Sequence, residues 1–240
     1  MKIVQLILLS IFLFAFSCKE ENKNELENQL ETAIESSGGK TADEWNGKLD
    51  QLFTLEMASQ VTHYNASEAV KDYNQVLKNP QTHSVQYKWD KGRVEVSDKI
   101  KNPITGKPME IPTNDYVEVS WVRTTTLEEF KHNYHTPTTE ELANASKAMD
   151  AKTKEMQNSG KATSDQAAKA KEIATSLGEG LSYTEIPSIG NYAVWNDKDK
   201  NLKVFYQGLE FQVYANLGNE DKNKEACIAT AKLIITEKLQ

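Results

Sequence analysis

Polar and apolar side chains alternate along five stretches of the chain, and a period of two predicts β-strands with one buried face. The five stretches cover residues 85–89, 116–122, 192–195, 202–206 and 209–214. Val94 and Val96 repeat the alternation after Gly92, which makes them a candidate extension of the first strand. Polar residues at 197–201 and the pair Gln207-Gly208 supply tight turns, so the last three strands are predicted to form an antiparallel meander.

Other apolar side chains recur every three or four residues, the spacing that predicts amphipathic helices. Such helices are predicted near residues 45–53, from 54 to 61, from 67 to 77 and from about 219 to the C-terminus. Ser67 is the candidate N-cap of the third helix, and Asn79-Pro80 ends it because proline lacks a backbone N–H. Ile234 and Ile235 lie in the apolar run of the last helix, and we expect at least one of them to be buried against the sheet.

Together these elements predict an α+β fold, in which an antiparallel sheet packs against N- and C-terminal helices and carries a helical hairpin insertion. The folded part begins near Thr41, and residues 41–240 are predicted to form a single domain. Residues 18–40 are rich in acidic and polar side chains, which cannot bury enough apolar surface to fold. That segment is therefore predicted to be a tether.

The helical hairpin is predicted at about residues 138–177, where strong helix formers dominate and large apolar side chains are few. Thr138 with Glu141 and Thr163 with Gln166 have the form of capping boxes, each of which opens a helix. The large apolar residues of the two helices are Leu142, Met149, Met156, Ile173 and Leu177. This stripe is too narrow for a core helix and leaves two interpretations: a hairpin that binds a protein partner, or a decorating insertion with a solvated face.

The chain begins with an apolar run of about 14 residues, which is too short to cross a bilayer as a helix. Its length and position are typical of a secretory signal, so residues 1–17 are predicted to be a signal peptide. The run ends in Ala15-Phe16-Ser17-Cys18, which resembles the lipobox of bacterial lipoproteins, although Phe16 is bulkier than the residue usual there.

The resemblance implies cleavage after Ser17 and acyl chains such as palmitate on the sulfur and the new amino group of Cys18. Two or more such chains give stable anchoring to a lipid bilayer. Residues 19–23 resemble the export tag of surface-exposed Bacteroidota lipoproteins, which implies the outer membrane, with the domain on the cell surface or facing the periplasm. The alternative is a soluble secreted protein that is cut near Ser17 and in which Cys18 is incidental.

A second resemblance rests on separated segments in about half of the chain. Residues 52–56, 186–195, 202–204 and 209–213, with the closing lysine-rich helix, resemble small bacterial lipoprotein domains of unknown function. The pattern is also similar to PsbP- and Mog1-like α/β sandwich domains, but Asn191 stands where those relatives often have Asp after the glycine. The resemblance implies a fold and an envelope location, and it implies no chemistry.

Composition limits the partners and the redox chemistry. The formal net charge is −7 and Lys and Arg form no dense patch, so neither nucleic acid nor an anionic membrane surface is an expected partner. Acylation of Cys18 would use one of the two cysteines, which excludes an intramolecular disulfide. Cys227 lies in an apolar helical stretch and is expected to be a small buried side chain rather than a reactive thiol.

His132 and His135 are weak candidates for a metal site, because a metal-binding helix needs two imidazoles about one turn apart. Glu128 or Glu129 could supply a carboxylate ligand, but the His-Glu-x-x-His motif is absent and Pro137 places His135 at a helix end. The chain also lacks a Gly-x-Ser-x-Gly elbow, a phosphate-binding loop and a dinucleotide fingerprint, and we expect no cofactor.

These observations favour a lipid-anchored cell-envelope protein that acts as a non-enzymatic binding or assembly module. The sequence identifies neither its ligand nor any catalytic residue. The alternative hypothesis is an envelope enzyme, such as a hydrolase that could depend on a metal, with its active site around His132 and His135.

Overall fold

The computed structural model describes residues 41–169, 172 and 181–240. The predicted signal peptide, Ser17, Cys18 and the tether lie outside the described residues, as do Ile173 and Leu177 of the predicted hairpin. The described residues divide into two compact units. One contains His135–Tyr183, the insertion unit, and the other contains the residues up to Tyr134 together with Thr184–Gln240, the sheet unit.

In the described part of the chain, seven strands form one sheet in the order β1-β2-β3-β7-β6-β5-β4. The strands are β1 (Val70–Asn74), β2 (Ser84–Lys101), β3 (Pro108–Thr124), β4 (Tyr183–Glu185), β5 (Tyr192–Asn196), β6 (Asn201–Tyr206) and β7 (Leu209–Asn216). Neighbouring strands from β1 to β5 in that order pair antiparallel. All five stretches of alternating residues are strands, and the predicted α+β class with an antiparallel sheet is confirmed.

The helices are α1 (Leu49–Leu52), α2 (Leu55–Thr62), α3 (Leu127–Asn133), α4 (Thr139–Asn158) and α5 (Glu220–Ile234), and a π-helical turn follows at Ile235–Leu239. Four of them begin at a polar side chain that accepts a hydrogen bond from a backbone N–H of the first turn. These caps are Thr54, Thr126, Thr138 and Asn219. The cap satisfies donors that the helix itself leaves unpaired, so these positions fix where each helix starts.

The helix predicted over residues 67–77 is wrong, because the middle of that segment is strand β1, Val70–Asn74. A short 3₁₀ turn at Ala66–Glu68 precedes the strand, and its cap is Asn65 rather than Ser67. Val70 then pairs with Lys88 at the end of the β1–β2 ladder. The ladder to β2 satisfies the backbone of this segment, and a stripe of three apolar side chains is too weak a helical preference to compete with it.

One face of the sheet packs against α1, α2 and α5 to form the core. Its largest fully buried side chains include Trp89, Trp195, Phe53, Phe211 and Met57. Ile234 and Ile235 are both buried, at 0 % and 6 % exposure, so the expectation that at least one would be is confirmed. Cys227 is fully buried, and burial raises the pKa of its thiol, as expected for a small core side chain.

Strands β2 and β3 continue together beyond both of their other neighbours. Strand β1 pairs with β2 only as far as Lys88, and β7 pairs with β3 only from Tyr116 onward. Beyond these points, among the residues that the structure describes, the two strands pair only with each other, from Arg93 opposite Thr113 to Lys101 opposite Pro108. We call residues 93–113 the β-arm, and its strands extend about 17 Å at the usual rise per residue.

A buried ion pair holds the base of the β-arm. Asp115 is 4 % exposed, and its carboxylate accepts hydrogen bonds from Arg93 Nε at 2.7 Å and from the Tyr64 hydroxyl at 2.6 Å. Gly92, with a φ of +64°, lies in the bulge that separates the arm from the rest of β2. The bulge turns the strand, and the ion pair fixes the direction in which the arm leaves the sheet.

The insertion unit contains both predicted capping boxes, each at the start of a helix. Thr138 and Glu141 exchange hydrogen bonds between side chain and backbone, and Thr163 and Gln166 do the same at the start of the helical residues 164–169. Helix α4 contains no buried residue along its 20 residues. Its helical state therefore rests on local capping and helix propensity rather than on a buried face.

Candidate functional site

The predicted metal candidates lie at the surface. His132 is exposed in the last turn of α3, and His135 is half-buried with its Nε2 3.0 Å from Glu141 Oε1. Glu129, a suggested third ligand, instead accepts a hydrogen bond from the Thr125 hydroxyl at 2.9 Å. Among the described residues, no three His, Cys, Asp or Glu side chains are grouped closely enough to hold a metal ion.

The face of the sheet opposite the core carries a cluster of charged side chains that the sequence analysis missed. Glu210 is fully buried, although it stands at a polar position of the predicted strand. Arg123 is its cross-strand neighbour, and its Nε donates to Glu210 Oε2 at 2.8 Å. The Tyr134 hydroxyl, at the end of α3, donates to Glu210 Oε1 at 2.5 Å. Both carboxylate oxygens thus have a partner, as a buried charge requires.

A bulge in β3 creates this pairing. Trp121 has a φ of +56°, and the register to β7 shifts between Ser120 and Arg123. The extra residue shifts the alternation by one position. As a result Val122 enters the core and Arg123 moves to the opposite face, beside Glu210.

Lys203 on β6 completes what we call the Lys203 cluster, formed by Arg123, Tyr134, Lys203, Glu210 and Gln212. The Lys203 ammonium group contacts the Gln212 side-chain oxygen and lies 5.0 Å from the centre of the Tyr134 ring. Burial lowers the pKa of Lys203 to about 8, against the opposing effect of Glu210. Burial also raises the pKa of Glu210, while Tyr134 and Arg123 act to lower it. A half-buried amine in this state could act as a nucleophile or a base.

The sequence contained only part of this information. Lys203, Glu210 and Gln212 are polar residues at alternate positions of predicted strands, so their common face could be derived from the alternation. Nothing in the pattern marked the bulge at Trp121, because a bulky residue at positive φ is uncommon. The partnership of Arg123 with Glu210 was therefore invisible before the strands were paired.

The β-arm exposes apolar side chains that the core does not use. The exposed fractions are 49 % for Val94, 65 % for Val96 and 92 % for Ile104 at the tip, and Ile100 and Met109 are also exposed. The tip is a turn closed by a hydrogen bond from the Asn102 N–H to the Lys107 carbonyl. A two-stranded ribbon with this exposed apolar surface is a candidate interaction surface.

Two open depressions lie elsewhere on the sheet unit. One of about 510 Å³ is formed by α1, α2, Tyr87 and Lys238, and one of about 410 Å³ lies between α2 and α5. Neither includes His132, His135 or a residue of the Lys203 cluster. Neither depression therefore combines a concave surface with the candidate metal ligands or with the buried charged residues.

Within the described residues, no helix combines the length and the apolar character needed to cross a membrane. Comparisons of the chain with known protein families, with curated proteins and with solved structures found no match. The β-arm and the Lys203 cluster are consequently the two features from which a function can be argued.

Proposed function

We propose that this protein is a lipid-anchored lipoprotein of the outer membrane that acts as a non-enzymatic binding or assembly module through its β-arm. The observation that carries this proposal is the exposure of Val94, Val96 and Ile104 on a ribbon that no other strand of the described chain supports. An isolated two-stranded ribbon gains little from its own packing, and exposed apolar side chains on it are stabilised by a partner that covers them. Acylated Cys18 and the tether at residues 18–40 would hold this surface near the membrane.

A photoreactive amino acid placed in the β-arm of the native lipoprotein tests this proposal. Substitutions at Val96 and at Ile104 are expected to crosslink to a discrete partner in intact cells. Val76 is the matched control, because it is a valine with 87 % exposure outside the β-arm. Leu142 on α4 tests the other predicted contact surface, the hairpin at about 138–177. Crosslinking at Val96 and Ile104 that does not exceed the level at Val76 would contradict the assignment of the β-arm.

The Lys203 cluster supports a second candidate function, an envelope enzyme. A half-buried amine beside a tyrosine hydroxyl and a buried carboxylate is an arrangement that many catalytic sites use. The test compares Lys203→Met with Val76→Ala, an exposed substitution outside the cluster, in a strain that lacks the wild-type protein. Loss of biological activity in the first variant alone, at equal abundance and equal folding, would favour the enzyme. Full activity of Lys203→Met would remove this candidate.

A further inference from the structure

The two outer edges of the β-arm differ in their capacity to pair with another strand. The β3 edge contains Pro108 and Pro112, which cannot donate a hydrogen bond. The Asn114 carbonyl points to the outer side of β3, where it accepts a hydrogen bond from Arg93 Nη2 at 3.2 Å. Pro108 and Pro112 are an even number of residues away from Asn114, so their backbone groups point to the same outer side. Among residues 108, 110 and 112 only Glu110 can therefore donate a hydrogen bond outward, and the prolines on both sides of it interrupt the β3 edge.

The β2 edge of the arm has no such block. Pro112 is opposite Val94, and because its nitrogen faces outward, the two residues form a pair without mutual hydrogen bonds. The N–H and C=O of Val94 consequently also point outward, and those of Val96, two residues on, do the same. In the described part of the chain no strand pairs with β2 beyond Lys88 on this side.

The side chains on this edge favour pairing. Natural edge strands are commonly protected by lysine, proline or an inward charge. Here the two residues with outward backbone groups are β-branched valines, 49 % and 65 % exposed. Since β-branched pairs stabilise neighbouring strands, the edge has the backbone and the side chains of an incomplete ladder.

The edge is also self-complementary. When two antiparallel copies meet with Glu95 at the centre, Val94 of each copy faces Val96 of the partner subunit. Each such pair can exchange two backbone hydrogen bonds, and its side chains meet on one face. The two Glu95 side chains would face each other, but Arg93 Nη1 already pairs with Glu95 within each chain, which reduces their repulsion.

We propose that a second copy of this chain is the partner of the β-arm, and that the two copies join β2 to β2 across a twofold axis. This inference rests on the proposed function and names the partner of the same surface. Twofold pairing uses the same edge of both copies, and the proline-blocked β3 edge stops further addition at the arm. The product is a closed dimer in which β2 strands of the two arms form one ladder.

Cysteine crosslinking tests the register directly in the purified mature lipoprotein. Glu95→Cys would place two sulfur-bearing residues directly opposite at a Cα separation of about 4.5 Å, which is within disulfide range. We expect Glu95→Cys to give a disulfide-linked dimer under mild oxidation. The wild-type chain, which contains Cys227 and the acylation site Cys18, and the Val76→Cys variant should not do so.

Sizing in detergent supplies the second measurement. The wild-type protein is expected to be a dimer, and the double variant Val94→Lys, Val96→Lys is expected to raise the dimer dissociation constant by roughly a hundredfold, because it places like charges face to face. Val76→Lys, an exposed substitution outside the β-arm, is the control and should remain dimeric. Circular dichroism of each variant shows whether it is folded.

A monomeric wild-type protein whose Glu95→Cys variant crosslinks no better than Val76→Cys would overturn the second copy as the partner. In that case photocrosslinking from Val96 to a different protein would leave the proposed binding function standing. A dimeric wild-type protein would overturn the pairing of β2 with β2 if Glu95→Cys formed no disulfide and the double lysine variant stayed dimeric. Cysteine crosslinking and sizing thus test this inference, whereas photocrosslinking tests the proposed function.

Discussion

Trp121 illustrates how much one residue can decide in this molecule. Its left-handed backbone conformation is costly for a large side chain, yet the bulge that it forms sets the face on which Arg123 lies. Without that bulge Glu210 would be a buried carboxylate without its guanidinium partner, a state that is strongly destabilising. The same bulge therefore strains the backbone at Trp121 and supplies the ion-pair partner of Glu210.

Ile234 gives the clearest prediction at this scale. Ile234→Ala removes a fully buried side chain between α5 and the sheet and is expected to lower the free energy of unfolding by about 2–5 kcal/mol. His132→Ala and His135→Ala alter surface side chains and are expected to change it by less than about 0.5 kcal/mol each. Urea denaturation of the three variants checks this. A histidine variant as unstable as Ile234→Ala would show that a surface role is the wrong interpretation.

Lys203 predicts a pH dependence of stability. Its pKa is lowered to about 8 in the folded protein from an ordinary value of 10.5, so between these values the unfolded chain holds a proton that the folded chain has lost. The free energy of unfolding should therefore rise with pH in this window. The useful range ends near pH 9, because burial raises the pKa of the Cys227 thiol above its ordinary value of 9.0, so that this group contributes in the opposite direction above that pH. Tyr64 and Tyr87, whose pKa is raised to about 12, do the same at higher pH.

Urea titrations of the wild type and of Lys203→Met at several pH values from 7 to 9 provide the measurement. The rise with pH is expected in the wild type and should be absent in Lys203→Met, which has no titrating amine. Identical pH profiles for the two proteins would mean that Lys203 titrates as an exposed lysine does.

The elements differ in what stabilises them. Strands β5, β6 and β7 are stabilised by core packing, whereas α4 has no buried residue and relies on the capping box at Thr138. The hydrogen bonds that Glu141 accepts from the backbone and the side chain of Thr138 hold its pKa down, at about 2, with a further contribution from His135. The cap therefore stays ionised and intact through the neutral pH range.

Replacement of residues 138–177 by a short Gly/Ser linker tests the independence of the insertion. The sheet unit should still unfold cooperatively, with its thermal midpoint lowered by only a few degrees, because α4 contributes no buried side chain. Thr136 and Tyr183 are hydrogen-bonded to each other, so a short linker can join the two ends. Loss of cooperative unfolding in the linker variant, seen by circular dichroism, would assign the insertion to the core.

At the scale of the whole molecule, the proposed acyl anchor would support the proposed pairing of two β-arms. Tethering both copies to one membrane raises their effective concentration, so even a weak strand-to-strand contact could be occupied. The β-arm offers a contact of this type, because its edge presents few backbone groups and a small apolar surface. Anchoring is thus the first step that needs to be established.

Cys18→Ser is expected to abolish acylation and to move the protein from the membrane fraction to a soluble or uncleaved form. The physical reason is the loss of the acyl chains, each of whose buried CH₂ groups contributes about 0.8 kcal/mol to membrane binding. Metabolic labelling with a fatty acid and fractionation check it, with Cys227→Ser as the control at the other cysteine. A Cys18→Ser protein that keeps its label and its membrane location would remove the anchor from the proposal.

The sequence by itself determined the features whose causes are local. Alternating side chains marked the strands of the meander, and the Thr138 and Thr163 boxes fixed two helix starts because both partners lie three residues apart. The apolar run of the last helix likewise predicted that at least one of Ile234 and Ile235 is buried, and both are. In each case the pattern that carries the prediction lies within one element.

Only the tertiary structure decided the features that depend on partners far apart in the chain. Residues 70–74 became a strand because β2 offered them an edge, and Glu210 could be buried because Arg123 and Tyr134 are its neighbours in space. The β-arm likewise exists because β1 and β7 end before β2 and β3 do. Strand pairing and burial are long-range properties, and alternation along one strand contains no information about which strand lies beside it.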